Sequence, residues 1–277
     1  MGRPLSLWQD TAPAAVRRAP LPGDLECDVA VVGGGFTGLW TAYYLLGADP
    51  SLRVVVLEAE EVGFGASGRN GGWCSALFPH VTTPEQHHAM VATLDEIEHV
   101  LATEQIDAHF HRGGTITLAR TPAQLARAVA SGDDILGESE ARKRLNATGT
   151  LGGSYTPHCA RVHPLRLVRG LADAVERRGG TIHEQTRVQS IESGVAHTSR
   201  GRARANVVVR ATEGYTASLD GLKRELIPVY SLIVATEPLS PAAWDEIGLT
   251  DYETFSDHRH LIIYGQRTAD DRLVFGG

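Results

Sequence analysis

One glycine-rich turn carries the residue spacing of a dinucleotide-binding site. After an apolar run, the letters GGGFTG place Gly33, Gly35 and Gly38 in a G-x-G-x-x-G pattern at the start of a helical segment. The first glycine permits a tight turn, the second lets the backbone approach a pyrophosphate, and the third lets the helix lie close to the strand. The helix opens with Phe36 and Thr37, whose N–H groups would face the phosphates. The turn therefore predicts a site for a nucleotide pyrophosphate.

An acidic residue stands where the ribose of such a nucleotide would lie. Glu58 ends the next apolar run about 20 residues after Gly38, and a carboxylate there accepts hydrogen bonds from both hydroxyls of an adenosine ribose. Ala59, Glu60 and Glu61 follow, so a 2′-phosphate would meet acidic side chains and NADP is disfavoured. We expect Glu58 and Ala59 to contact the cofactor. NAD and FAD share this half of the pattern.

A second glycine-rich stretch, GASGRNGGWC, distinguishes between these two cofactors. It is too rich in glycine for a helix and too apolar for a linker. A long cofactor needs a second strip of close backbone contact beyond its pyrophosphate, and Ser67, Arg69 and Asn70 can supply donors beside the bare backbone of Gly71 and Gly72. The stretch favours FAD, and a NAD-dependent dehydrogenase remains as an alternative.

The elements predicted around these motifs form a βαβ unit. A buried strand enters the first glycine turn, a helix covers residues 36–48, and a second buried strand covers residues 53–60. A strand, a helix and a strand within about 30 residues predict a parallel sheet. Pro164 opens another amphipathic helix, and residues 225–277 are rich in strand patterns.

Composition restricts the function further. With 42% hydrophobic and 21% charged residues the chain is typical of a globular protein, and its net charge of −7 disfavours nucleic acid as a partner. The three cysteines form no C-x-x-C pair, and the twelve histidines show no metal-site spacing, so no metal is expected. No start segment resembles a signal peptide and no run reaches about 18 apolar residues, which predicts a cytoplasmic protein without a membrane span.

Three segments together resemble a known family. The letters DVAVVGGGFTGLWTAYYL, LEAEEVGFGASGRNGG and VVVRATEGYT are similar to the FAD-dependent D-amino-acid oxidase (DAO) family, in its gamma-glutamylputrescine oxidase-like and glycine/D-amino-acid oxidase branch. The resemblance runs from about residue 7 to the end of the chain. It implies an α/β fold with a Rossmann-like FAD-binding domain of the glutathione-reductase type and an inserted α+β substrate domain. The implied domains are the FAD-binding domain at 25–78 and 158–224 and the substrate domain at 79–157 and 225–277. Residues 1–24 are rich in proline, alanine and arginine, which indicates an extended N-terminal arm rather than a packed element.

The resemblance also assigns roles to residues beyond the first motif. It implies that residues 67–72 run alongside the pyrophosphate and the flavin end of FAD. The backbone of Val188 would meet the adenine, and Thr212 and Gly214 would return the chain to the cofactor.

The implied reaction oxidises the C–N bond of an amine or amino acid to an imine, by hydride transfer to flavin N5. Oxygen or another acceptor would then take the electrons. The chemistry needs no dedicated acid–base pair, and His163, Tyr230 and Tyr264 are the candidate substrate-side residues, each with a structural role as the alternative. Some relatives attach the flavin to a histidine after a tryptophan, whereas here Cys74 follows Trp73.

The chain departs from the family in its length. Family members continue well past a segment such as DRLVFGG, so we expect a C-terminally truncated fragment that lacks part of the fold. A catalytically inactive flavin-binding remnant is therefore the alternative to an active enzyme.

Overall fold

The structure is a computed structural model that describes residues 6–77, 83–131 and 134–277. Its α-helices are α1 (Leu7–Thr11), α2 (Phe36–Ala48), α3 (Pro84–Thr103), α4 (Pro122–Ser131), α5 (Glu138–Arg144), α6 (Pro164–Arg177) and α7 (Pro241–Ile247). Its strands are β1 (Leu25–Val32), β2 (Val54–Leu57), β3 (Trp73–Ser75), β4 (Thr115–Ala119), β5 (Ile135–Gly137), β6 (Gly152–Thr156), β7 (Cys159–Arg161), β8 (Thr181–His183), β9 (Val188–Glu192), β10 (Val195–Thr198), β11 (Gly201–Arg210), β12 (Ile233–Ala235), β13 (Thr254–Asp257), β14 (Tyr264–Arg267) and β15 (Leu273–Gly276).

The chain divides into two compact units, called unit 1 and unit 2, which consist of Met1–Arg69 with Leu165–Tyr230 and of Asn70–Pro164 with Ser231–Gly277. Residues 70–77 and 158–164, which the sequence assigns to the FAD-binding domain, belong to unit 2. β3 and β7 form an antiparallel pair, with Cys74 opposite Ala160, and β7 is joined to other residues of unit 2 through a backbone bridge between His111 and Arg161.

Unit 1 is built on a six-stranded sheet in the order β8-β2-β1-β11-β10-β9. The pairs β1·β2, β1·β11 and β2·β8 are parallel, and β9, β10 and β11 form an antiparallel meander. The four residues of β2 are all buried, as expected of a parallel strand covered on both faces. The predicted βαβ unit is thus confirmed, with β1, α2 and β2 as its elements.

Helix α6 packs its apolar stripe into unit 1. Pro164 occupies its first position, where the missing N–H costs no hydrogen bond. Val168, Leu171, Ala172 and Val175 are fully buried and follow the helical period. The hydrophobic stripe predicted from the sequence is the face of the helix that the fold buries.

The segment before β1 differs from the extended, unpacked arm that the sequence indicates. Ser6 and Gln9 form a capping box that starts α1, and Trp8 in this helix is only 2% exposed. Leu21 is buried as well and belongs to the same core cluster as Cys27 and Val32. The proline and alanine content of the segment therefore did not predict that it packs into the core of unit 1.

Unit 2 contains a seven-stranded sheet in the order β12-β15-β14-β13-β4-β6-β5. Its described pairs are antiparallel except for the parallel pair β4·β13. Ile116, Leu118, Trp244, Leu249 and Phe255 form its core cluster. Among the helices described in the two units, none combines the length and the apolar character needed to cross a bilayer.

Candidate cofactor-binding site

A cleft of about 910 Å³, open to solvent, lies at the carboxyl ends of β1, β2 and β11 in unit 1. The carboxyl edge of a parallel sheet is where ligands bind in doubly wound folds. The lining comes from several separate segments of unit 1, at residues 32–37, 57–60, 63–67, 187–188, 211–213, 215 and 218–219. Most residues that the sequence assigned to FAD are among them, including Ala59, Val188 and Thr212.

The first glycine motif is required by the backbone around it. Gly33 has a φ of +114°, and a Cβ there would lie 2.4 Å from the carbonyl oxygen of Ala211. A Cβ on Gly38 would lie 2.1 Å from the carbonyl oxygen of Gly33, which is far inside van der Waals contact. Gly33 therefore lets the turn pass close to the chain that follows β11, and Gly38 lets α2 lie close to β1 and the turn.

The two glycine-rich stretches are joined by a hydrogen bond at the start of α2. The N–H of Phe36 donates to Ser67 Oγ over 2.9 Å, and a Cβ on Gly35 would lie 2.8 Å from that oxygen. Thr37 and Gly38 belong to the same first turn, where N–H groups have no partner within the helix itself. The helix N-terminus thus presents donors and a positive dipole end at the cleft, as a pyrophosphate requires.

Glu58 is held with both carboxylate oxygens in place. Its Oε2 accepts a hydrogen bond from the N–H of Gly34 over 2.7 Å, and its Oε1 accepts one from the N–H of Glu60 over 2.9 Å. Burial raises the pKa of Glu58, the two backbone hydrogen bonds oppose this, and the neighbouring charges of Glu184 and Glu60 raise it further. Each oxygen keeps a free lone pair, so the carboxylate can still accept from ribose hydroxyls.

These features fit the adenosine diphosphate part of FAD. Bare backbone and helix N–H groups suit the pyrophosphate, Glu58 suits the ribose, and the apolar side chains of Val188 and Leu219 offer a wall for a base. A cofactor in this cleft would also meet Arg187, which pairs with Glu60 over 2.8 Å. The sequence prediction missed Arg187 because an arginine beside a strand has no distinctive pattern.

Three predicted cofactor residues of unit 1 lie outside the lining, namely Gly38, Arg69 and Gly214. Arg69 places its guanidinium carbon 4.7 Å from the centroid of the Phe64 ring, a cation–π contact. Gly214 is absent from the lining, whereas its neighbour Tyr215 contributes to it and also covers Gly65. An aromatic side chain in this position was not expected from the sequence.

The remaining residues of the second stretch lie in unit 2. Asn70 and Gly71 line an open pocket of about 600 Å³ together with Trp73, Ser256, Ile262 and Tyr264. Asn70 Oδ1 accepts a hydrogen bond from the N–H of Gly72 over 2.8 Å. A Cβ on Gly71 would lie 2.5 Å from the ring of Tyr264, so this glycine is needed for close packing of the protein itself.

A glutamine that the sequence prediction missed fixes this backbone. Gln266 is only 1% exposed, and its Nε2 donates to the carbonyl oxygens of Gly71 and Gly72 over 2.7 and 2.9 Å. The partners are almost 200 positions apart, which no local pattern reveals. The glycine pair is thereby held from both sides, by Asn70 and by Gln266.

Of the three candidate substrate-side residues, the structure brings one into this pocket. The hydroxyl of Tyr264 lies 2.6 Å from Ser231 Oγ, and its ring meets Trp73 edge to face at 6.3 Å. His163 is 4% exposed, donates its backbone N–H to Ala108, and lines neither pocket described above. Tyr230 belongs to unit 1 and is 85% exposed.

Cys74 is poorly suited to attack a flavin. Burial raises the pKa of its thiol to about 12, with a smaller contribution from Cys159. A covalent link would require the thiolate, which this environment disfavours at neutral pH. Within the described part of the chain, no group of three or more histidine, cysteine, aspartate or glutamate side chains is placed to hold a metal ion.

The chain belongs to the DAO family of FAD-dependent oxidoreductases, whose sequence profile matches residues 28–277. It is 31% identical to gamma-glutamylputrescine oxidoreductase of Escherichia coli (strain K12), over 96% of this chain and 68% of that protein. Its fold matches crystal structures of glycine oxidase from Bacillus cereus ATCC 14579 (TM-score 0.73, 21% identity) and from Geobacillus kaustophilus (TM-score 0.72, 24% identity), each covering 90% of this chain and 70% of the other. Because this family is FAD-dependent, the cofactor is FAD and not NAD.

Proposed function

We propose that this protein oxidises the C–N bond of an amine or amino acid to an imine. When bound, FAD supplies the acceptor for the hydride that leaves the substrate carbon. The observation that carries the proposal is the cleft of unit 1, whose Glu58 carboxylate and bare glycine turn fit the adenosine diphosphate of FAD. Similarity to gamma-glutamylputrescine oxidoreductase over 96% of the chain supports a C–N bond as the site of oxidation.

The protein's own part in the reaction is to bind and orient the substrate. We assign this role to the pocket of unit 2, where Trp73, Ile262 and Tyr264 provide apolar surface for the carbon skeleton of an amine. Ser231 holds the hydroxyl of Tyr264 and so fixes the ring.

The same pocket favours the neutral form of the amine. Among the residues that line it, Asn70 and Ser256 bring polar groups, and none carries a charge. A site without a carboxylate offers an ammonium no compensation for lost hydration, so it binds the free base more readily. Only the free base can release a hydride from the adjacent carbon, because its nitrogen lone pair forms the new C=N bond.

The electron acceptor and the compartment are part of the proposal. Oxygen or another small acceptor would reoxidise the flavin. We place the protein in the cytoplasm, which is supported by three cysteines that are all free thiols, as is usual in a reducing compartment.

The test is anaerobic reduction of the FAD-loaded chain with a panel of amines. Polyamine conjugates, glycine, sarcosine, D-amino acids and proline are mixed with the protein, and the visible flavin absorbance is followed before oxygen or a dye is added. We expect bleaching by at least one of them and recovery with an acceptor. Bound FAD that no amine bleaches would contradict the proposed activity and support the inactive-remnant alternative. A chain that binds NADH but not FAD would contradict the cofactor as well.

A further inference from the structure

A buried carboxylate outside the cleft holds the backbone just before residues 63–67, which line the cleft. Glu184 follows β8, is 4% exposed, and does not line the cleft. Its Oε1 accepts a hydrogen bond from the backbone N–H of Val62 over 2.9 Å, and its Oε2 accepts one from the backbone N–H of Arg18 over 3.1 Å. We propose that Glu184 is a positioning residue for FAD binding, which acts through Val62.

Val62 lies between the end of β2 at Leu57 and the second glycine-rich stretch, which begins at Gly65. The next residue, Gly63, has a φ of +74° and donates its N–H to the carbonyl oxygen of Gly34 over 3.2 Å. Residues 63–67 then line the cleft as far as Ser67, which accepts the N–H of Phe36 at the start of α2. A displacement of the Val62 amide therefore moves the wall of the cleft and the cap of the phosphate-facing helix together.

The other oxygen of Glu184 ties this turn to residues 12–21, here called the N-terminal strap. The guanidinium of Arg18 in the strap contacts Asp173 and Glu176 of α6 at 2.6 and 2.8 Å, and also lies 3.6 Å from Glu184. The side chain of Arg18 is only 6% exposed, whereas those of Asp173 and Glu176 are 49% and 38% exposed, so these two ion pairs are partly open to water. The strap thus connects α6 to the Glu184 carboxylate, which accepts the N–H of Val62.

Neighbouring bonds reinforce the same connection. Thr186 Oγ1 donates to the carbonyl oxygen of Glu184 and accepts the N–H of Leu21 in the strap, each over 2.9 Å. The N–H of Thr186 donates to the carbonyl oxygen of Glu58 over 2.8 Å. The strap is therefore linked, through Thr186, to the backbone of Glu58 and to the turn after it.

Glutamate is the side chain that this arrangement requires. Both oxygens act as acceptors for backbone N–H groups, which an amide cannot do because it has a single oxygen. Glu176 provides a matched control, since it contacts the same arginine and has no bond to Val62. If Glu184 only held the strap, replacing either glutamate would change the Kd for FAD by the same amount.

The experiment measures the Kd for FAD by calorimetry, after removal of bound flavin, in the wild-type chain and in Glu184→Ala, Glu184→Gln and Glu176→Ala. We expect Glu184→Ala to raise the Kd about tenfold, the effect of losing one hydrogen bond to a buried charged group. Glu184→Gln keeps one acceptor and is expected to give a smaller rise, and Glu176→Ala is expected to leave the Kd within about twofold of wild type. Hydrogen exchange of the flavin-free proteins should show faster exchange at the Val62 amide in Glu184→Ala alone.

The outcomes separate this inference from the function on which it rests. An unchanged Kd in Glu184→Ala, or equal increases in Glu184→Ala and Glu176→Ala, would overturn the positioning role even if thermal stability falls. If Glu184→Ala does not fold, the comparison of Glu184→Gln with Glu176→Gln decides in the same way. A wild-type chain that does not bind FAD would instead contradict the assignment of the cleft.

Discussion

At the scale of single residues, the site depends on glycines, which have no side chain, as much as on residues with a functional side chain. Gly38 illustrates this, because the helix of the βαβ unit crosses β1 so closely that a methyl group would meet the carbonyl of Gly33. Glu58 illustrates the other case, a carboxylate whose orientation is set before any ligand arrives. Both positions were predicted from spacing in the sequence, since the physical demands of a tight turn and of a ribose act over a short stretch of chain.

Replacing Gly38 with alanine should destabilise unit 1. The new Cβ would lie 2.1 Å from the carbonyl oxygen of Gly33 and 3.0 Å from Val31 Cγ1, so the helix must shift. We expect a loss of about 1–3 kcal/mol in the free energy of unfolding, the usual cost of overpacking. Gly23→Ala is the control, because Gly23 lies outside the helices and strands of unit 1 and no atom lies within 4 Å of its Cβ. Equal stability of the two variants in urea titrations would show that the close approach is absent.

The raised pKa of Glu58 predicts a pH dependence opposite to that of most surface carboxylates. Burial raises the pKa above its ordinary value of 4.5, so the folded protein takes up this proton more readily than the unfolded chain. The contribution of Glu58 to stability is then fully present below pH 4.5 and is lost as the pH rises through the folded-state pKa. Unfolding measured against pH, for the wild type and for Glu58→Gln without FAD, should show the wild type losing stability relative to the variant above pH 4.5. A gain in the stability of the wild type relative to Glu58→Gln above pH 4.5 would contradict the prediction.

At the scale of elements, the fold brings two distant stretches to the N-terminus of one helix. The sequence predicted β1, α2, β2 and α6, because a buried parallel strand and an amphipathic helix each leave a local hydrophobic pattern. It could not predict that Ser67 accepts from Phe36, that Gln266 holds Gly71, or that the strap packs on α6. Those contacts join positions tens to almost two hundred residues apart.

Removing the hydroxyl of Ser67 should weaken both α2 and the binding of FAD. Ser67 Oγ accepts the N–H of Phe36 although it lies outside the helix, and loss of such a cap costs about 1 kcal/mol. Ser240→Ala is the control, because Ser240 caps α7 in unit 2 through the N–H of Ala243. We expect both variants to lose stability in thermal unfolding. Only Ser67→Ala is expected to raise the Kd for FAD, and a similar rise in Ser240→Ala would contradict the local role of the cap.

At the scale of the whole molecule, each of the two units contains a candidate binding site of its own. Unit 1 contains the cleft that fits a nucleotide, and unit 2 contains the uncharged pocket with Tyr264 and Trp73. The fold class was predicted from the sequence, as the match to glycine oxidase structures shows. The division at Arg69 was not, since GASGRNGG reads as a single motif while its two halves pack in different units.

The proposed function requires that the cleft of unit 1 binds the adenosine diphosphate half of FAD. The direct measurement is a calorimetric titration of the flavin-free chain with FAD, repeated at increasing concentrations of ADP. Because ADP carries the ribose and pyrophosphate that Glu58 and the first turn of α2 would hold, the apparent Kd for FAD should rise in proportion to the ADP added. An FAD affinity that ADP leaves unchanged would contradict the account.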